Sequence, residues 1–154
     1  MSANRAYLDA LRMLARRELS EAQIRQRLAR REHEPDLIDE AAARLKEERA
    51  LDDVRVAEAI ARTETSVRKR GRLRVMRKIE SAGISKSIAK QAVDAVYGAL
   101  DADALLEAAL AKRLRGRGGI SDHREFNRLY RYLIGQGFEP DRVLATLRRK
   151  QKNR

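Results

Sequence analysis

The residues best placed to do chemistry in this sequence are cations at helical spacing, and the chemistry they suit is recognition of phosphate or carboxylate. At about 100° per residue, Val75, Met76 and Ile79 share one helix face, and Arg74, Arg77 and Lys78 share the opposite one. Arg70 joins the basic face if it lies within the helical frame. Further on, Phe126, Leu129, Tyr130 and Leu133 form an apolar face, with Arg124, Arg128 and Arg131 opposite. The two stripes are in register: Arg70 pairs with Arg124, Arg74 with Arg128, and Arg77 with Arg131. Near the N-terminus the matching positions are Leu19, Gln23 and Gln26, so that region lacks the stripe. A helix's outer face is charged in any case; repetition in register, with no acid intermixed, singles this stripe out. Arg68, Lys69 and Arg70, and then Arg115 and Arg117, carry the cations into loops where neighbouring glycines let a backbone approach phosphates. These eleven residues are the candidate DNA-binding set. The run Arg148, Arg149, Lys150, Lys152 reads instead as a solvated helix end that complements the helix dipole.

Other chemistries find little support. There is no Cys, which excludes disulfides, thiolate metal sites and cysteine nucleophiles. His33 and His123 lack companions at metal-ligand spacing. The pair Asp52-Asp53 reads as a helix N-cap rather than as an acid–base pair. Gly116-Arg117-Gly118-Gly119 is not a phosphate-binding loop, because no Gly-Lys-Ser/Thr follows. No nucleophile–base arrangement can be argued, so the reading is a non-enzyme without cofactor. Phe126, Tyr130, Tyr132 and Phe138 gather in the C-terminal third, mostly at core-facing positions. Nucleic-acid contact would therefore be to phosphates, salt-sensitive and weakly sequence-specific.

The elements that must position these cations are helical. Of 154 residues, 43% are apolar, 38% charged and 4% aromatic, with two Pro and eight Gly. That composition favours helices packed through Leu, Ile, Val and Ala. The 35 basic and 23 acidic residues give a net charge of +12 and a pI near 10.7, which favours a polyanionic partner. The surplus is uneven: net +1 over residues 1–51, +5 over 52–100 and +6 over 101–154. With 27 Arg against 8 Lys and abundant Ala, a GC-rich genome would also produce part of this bias. No stretch approaches a membrane span of about 20 apolar residues, and the N-terminus has no apolar signal core. A soluble cytoplasmic monomer is expected.

Three copies of one unit are visible. Leu28, Ile79 and Leu133 are anchors, each preceded four residues earlier by Ile24, Val75 or Leu129. Four residues after each anchor stand Glu32, Gly83 and Gly137; glycine suits the left-handed end of a helix, so the first copy is expected to end its helix differently. Pro35, Ser85 and Pro140 then suit the start of the next helix, and Ile38, Ala89 and Val143 follow ten residues after the anchors. Ser20 to Gln23 is a capping-box pattern, and Ser121 or Asp122 with Glu125 does similar work. The spacing predicts an all-α chain of three tandem three-helix repeats, 1–51, 52–100 and 101–154, in an elongated, curved array of either hand.

The segments Ala10–Leu28, Leu51-Asp52-Asp53-Val54-Arg55-Val56-Ala57, Gly71 with the Ile79…Gly83-Ile84 turn, and Tyr132-Leu133-Ile134-Gly135-Gln136-Gly137-Phe138 strongly resemble the RecX family of recombination regulators. The resemblance runs from about Ala6 to Arg149. Val56 stands where the family often has Phe, and His33-Glu34 replaces a Gly-containing turn. The resemblance implies tandem three-helix repeats and a partner, the RecA recombinase polymerised on single-stranded DNA. It implies binding in the groove of that filament, with lowered extension, ATPase and strand exchange. A free-standing DNA-binding protein, on single or double strands, and a helical scaffold for an acidic partner are the other readings.

Overall fold

The computed structural model describes residues 2–98 and 101–152. Among the described residues the regular structure is nine α-helices with no strand: α1 (Ser2–Arg16), α2 (Glu21–Arg30), α3 (Pro35–Glu47), α4 (Asp53–Ser66), α5 (Arg72–Ser81), α6 (Lys86–Gly98), α7 (Ala102–Leu114), α8 (His123–Gly135) and α9 (Pro140–Lys152). The anchors Leu28, Ile79 and Leu133 are fully buried. Pro35 and Pro140 open α3 and α9, where a missing N–H costs nothing. Ser85 Oγ accepts from Ile88 N at 3.2 Å just before α6. Gly83 and Gly137 have φ of +80° and +100°.

One expected difference is overturned. Glu32 also takes the left-handed conformation, with φ +65°. The N–H of His33 donates to Leu28 O at 3.2 Å, as that of Phe138 does to Leu133 O at 3.2 Å. The hydrogen-bonded helix ending is thus the same with and without glycine, and the first copy bears a strain of about 1–2 kcal/mol at Glu32.

Packing divides the chain into two compact units, residues 1–59 with 78–92 and residues 60–77 with 93–154. In the first, α1, α2 and α3 pack on one another around Ala10, Met13, Leu19, Ile24, Leu28, Ile38, Leu45 and Leu51. Ser20 is the N-cap of α2: it accepts from Gln23 N at 3.1 Å, and Gln23 Oε1 accepts from Ser20 N at 2.9 Å. The buried Ser20 hydroxyl also donates to the carbonyl of Ala82, in the α5–α6 turn. Asp52 caps α4 through Val54 N at 3.0 Å, while Asp53 accepts from Glu21 N at 2.9 Å and so satisfies a free donor at the start of α2.

In the second unit, α7, α8 and α9 pack on one another around Leu106, Leu110, Leu114, Ile120, Leu129, Leu133, Phe138, Val143 and Leu147. The first residues of α5 dock on the α8–α9 turn: Gly71 N donates to Gln136 O at 2.7 Å and Leu73 N to Gly137 O at 2.8 Å. A Cβ on Gly71 would lie 2.6 Å from Gly137 O, so the backbones touch here. Ser20 and Gly71 both stand eight residues before their anchors, and Ala82 and Gln136 both three residues after theirs. Equivalent positions therefore dock in each unit, through a side-chain hydroxyl in the first and a backbone N–H in the second.

Candidate nucleic-acid interface

The clearest gathering of predicted cations is in the second unit. The last turn of α7, the loop after it and the exposed side of α8 enclose a cleft of about 410 Å³, lined by Arg113, Arg115, Arg117, Glu125, Arg128, Leu129 and Tyr132. α7 ends because Arg115 and Gly116 take left-handed conformations, with φ of +52° and +86°; this turns the chain and presents Arg115 and Arg117 beside α8. Asp122 is the N-cap of α8, accepting from Glu125 N at 2.8 Å. Ser121, the other candidate cap, instead gives its backbone N–H, at 3.3 Å, and its hydroxyl to Glu125 Oε2.

Glu125 is buried at the base of this cleft. Arg117 lies 2.8 Å from its Oε1 and donates its own Nε to Leu114 O at 3.1 Å. The Ser121 hydroxyl, together with the Arg117 charge, holds the Glu125 carboxyl below the usual carboxylate range in spite of its burial. Arg113, absent from the predicted set, stacks its guanidinium 3.8 Å over the Tyr132 ring. The face of that guanidinium is taken while its edge N–H groups stay available. Arg115 and Arg128 are exposed and have no carboxylate partner among the described residues. The floor is charge-neutralised and the rim is cationic, an arrangement that suits a bound phosphate.

The remaining predicted residues divide. Arg124 and Arg131 are exposed on α8, and Arg77 on α5, without ion pairs among the described residues. Lys69 is exposed with φ +56° just after α4. Lys78 is exposed and belongs to the first unit. Arg70 lies outside α5, which starts at Arg72. It is half-buried, lies 4.0 Å from Glu64 and donates to the Gln136 side chain, while its carbonyl accepts from the Tyr97 hydroxyl. Arg68 also reaches Glu64, at 3.7 Å. Within the stripe, the expectation of no intermixed acid fails at Arg70, which Glu64 approaches on folding; the loop cations Arg68 and Arg117 also meet acids, Glu64 and Glu125. Arg74 donates to the Gly135 carbonyl at 3.1 Å and is half-buried, which makes it a docking residue of α5. Arg113 could have been found from Tyr132 only by knowing that α7 packs on α8.

No group of three or more His, Asp or Glu able to hold a metal ion occurs among the described residues. His33 instead pairs its Nε2 with Asp9 Oδ2 at 2.7 Å. No helix of the described residues is long and apolar enough to cross a membrane.

Helix triplets repeated in tandem, with cations gathered on helix ends, define an all-α repeat protein. The sequence relatives say which. The family model described as "RecX, first three-helix domain" matches residues 6–45. The Regulatory protein RecX of Halorhodospira halophila is 34% identical over 94% of this chain and 88% of its own length. That of Chromohalobacter salexigens is 34% identical over 88% and 86%. The crystal structure of RecX from Lactobacillus salivarius superposes with a TM-score of 0.78 at 21% identity, covering 96% of both chains. The chain belongs to the RecX family of regulatory proteins.

Proposed function

We propose that this chain regulates a RecA recombinase by binding its filament on single-stranded DNA, within the helical groove, and limiting filament extension, ATP hydrolysis and strand exchange. Family membership over 94% of the chain carries this reading. The chain acts in the cytoplasm as a binding protein without a catalytic group of its own. In this reading the repeats 1–51, 52–100 and 101–154 are the modules that meet the filament, and the cationic rim of the third is drawn to phosphates.

The test is single-stranded-DNA-dependent ATP hydrolysis by the cognate recombinase, with this chain titrated in. Hydrolysis falls with increasing chain, and the fall weakens as salt rises. Substituting Ala for Arg115, Arg124, Arg128 and Arg131 together weakens that effect and its salt dependence. Hydrolysis untouched by a saturating excess of the chain refutes the proposal. The cationic rim also favours a second reading, direct phosphate binding independent of any recombinase; tight duplex binding with no effect on hydrolysis would select it.

A further inference from the structure

The first unit holds a cleft that net charge alone hides. Arg12, Arg16 and Arg17 at the C-terminal end of α1 and Arg27, Arg30 and Arg31 at the end of α2 line one opening of about 460 Å³, with Met13 the only other lining residue. All six arginines are exposed. Asp9 lies 3.5 Å from Arg12 and 3.5 Å from Arg31. Arg16, Arg17, Arg27 and Arg30 have no carboxylate partner among the described residues.

This segregation follows from where the acids go. Glu21 is taken by Arg25 at 2.9 Å and Lys46 at 3.1 Å, Asp39 by Arg25 at 2.6 Å, Glu48 by Arg44 at 3.0 Å, and Glu18 by Arg55 at 2.7 Å. These four acids are paired with cations outside the cleft, and among the described residues Asp9 is the one acid paired with arginines that line it. Helix dipoles do not account for them. Each helix C-terminus carries about half a negative charge, so the two termini and Asp9 together balance roughly two of six guanidiniums.

We propose that this cleft is a binding site for a nucleic-acid phosphate backbone, formed by residues other than the cations of the third repeat. Every cation in it is arginine, whose planar fork matches two phosphate oxygens at once. Among its lining side chains there is no aromatic ring to stack a base and no acceptor to read a base edge. Recognition is therefore of the backbone, tolerant of sequence and steep in salt. An acidic protein segment is the less favoured occupant, because the cleft offers such a segment only Met13 as an apolar anchor.

The inference does not rest on the regulatory reading, since its assay contains no recombinase. A fluorescent 20-nucleotide oligothymidine is titrated with the full chain across a salt series. Substituting Ala for Arg16, Arg17, Arg27 and Arg30 lowers affinity more than tenfold and reduces the slope of log K against log salt by about 2 to 3. The same four changed to Gln give the same loss, and changed to Lys restore most of the slope; circular dichroism checks that all variants keep their helices. Equal affinity and equal slope for the Ala variant and the parent overturn the proposal. So does displacement of the oligonucleotide by an equimolar amount of inorganic tripolyphosphate, which would mark a small-polyphosphate site, or by an equimolar polyglutamate peptide.

Discussion

Replacing Gly137 by Ala tests the backbone docking that holds α5 to the α8–α9 turn. The new Cβ would overlap the Cβ and N of Arg74 and lie 2.8 Å from its Cα, all atoms of a helix that cannot swing aside. Two costs add. A non-glycine residue at φ +100° is strained by about 1–2 kcal/mol. The overlap then costs about 1–3 kcal/mol if it is kept as overpacking against backbone, or about 1 kcal/mol for each of the hydrogen bonds from Gly71 N and Leu73 N if the turn retreats to relieve it. The expected loss is about 2–5 kcal/mol, a large share of a typical domain's stability of about 5–15 kcal/mol. Urea unfolding followed by circular dichroism reads it as a fall in midpoint of about 2 M, for a slope near 2 kcal/mol/M. Gly135→Ala is the control: its Cβ would meet nothing within 4 Å, so that variant should be neutral or stabilised by up to about 1 kcal/mol. If both variants unfold within about 1 kcal/mol of the parent, the interlocked turn is not what fastens α5.

Two further outcomes are expected. Ser20→Ala removes the α2 N-cap and leaves the Ala82 carbonyl without its hydroxyl donor, so it should cost about 1–3 kcal/mol in the same urea experiment. The Glu125 carboxyl titrates lower in the folded chain than in the unfolded one because Ser121 and Arg117 hold its charged form. Its contribution is therefore complete above the ordinary Glu range and lost as pH falls through the lowered value. Glu125→Gln should flatten the acid side of a stability-versus-pH curve below about pH 4.5 while leaving the neutral-pH shape unchanged; an unaltered acid limb would show that this carboxylate does not carry it.

Much of the fold was legible because it rests on local chemistry. Ser20 with Gln23, Pro35, Pro140, Gly83 and Gly137 each act within a few residues, and each does in the structure what its type predicts. Glu32 was misread because the repeat, not the side chain, dictates the conformation at that position. The surroundings of Arg70 were not legible, because Glu64 and Gln136 lie 6 and 66 residues away and only folding brings both to it. The first-unit arginine cleft was invisible for a different reason: summing charge over 51 residues averages a segregated cluster to +1. Arg113 was overlooked because its partner, Tyr132, sits on another helix.

Glu125 stands eight residues before its anchor, at the place held by Ser20 in the first repeat and Gly71 in the second. In polymer language, the first two are propagating ends: each accepts the turn of the copy that comes next. Glu125 differs from both, because its oxygens are already taken by Ser121 and Arg117. A fourth copy spliced behind α9 could fold as a bundle of its own yet find no seat at that position. Shortening Glu125 to glycine is the change that would free that position for such a turn.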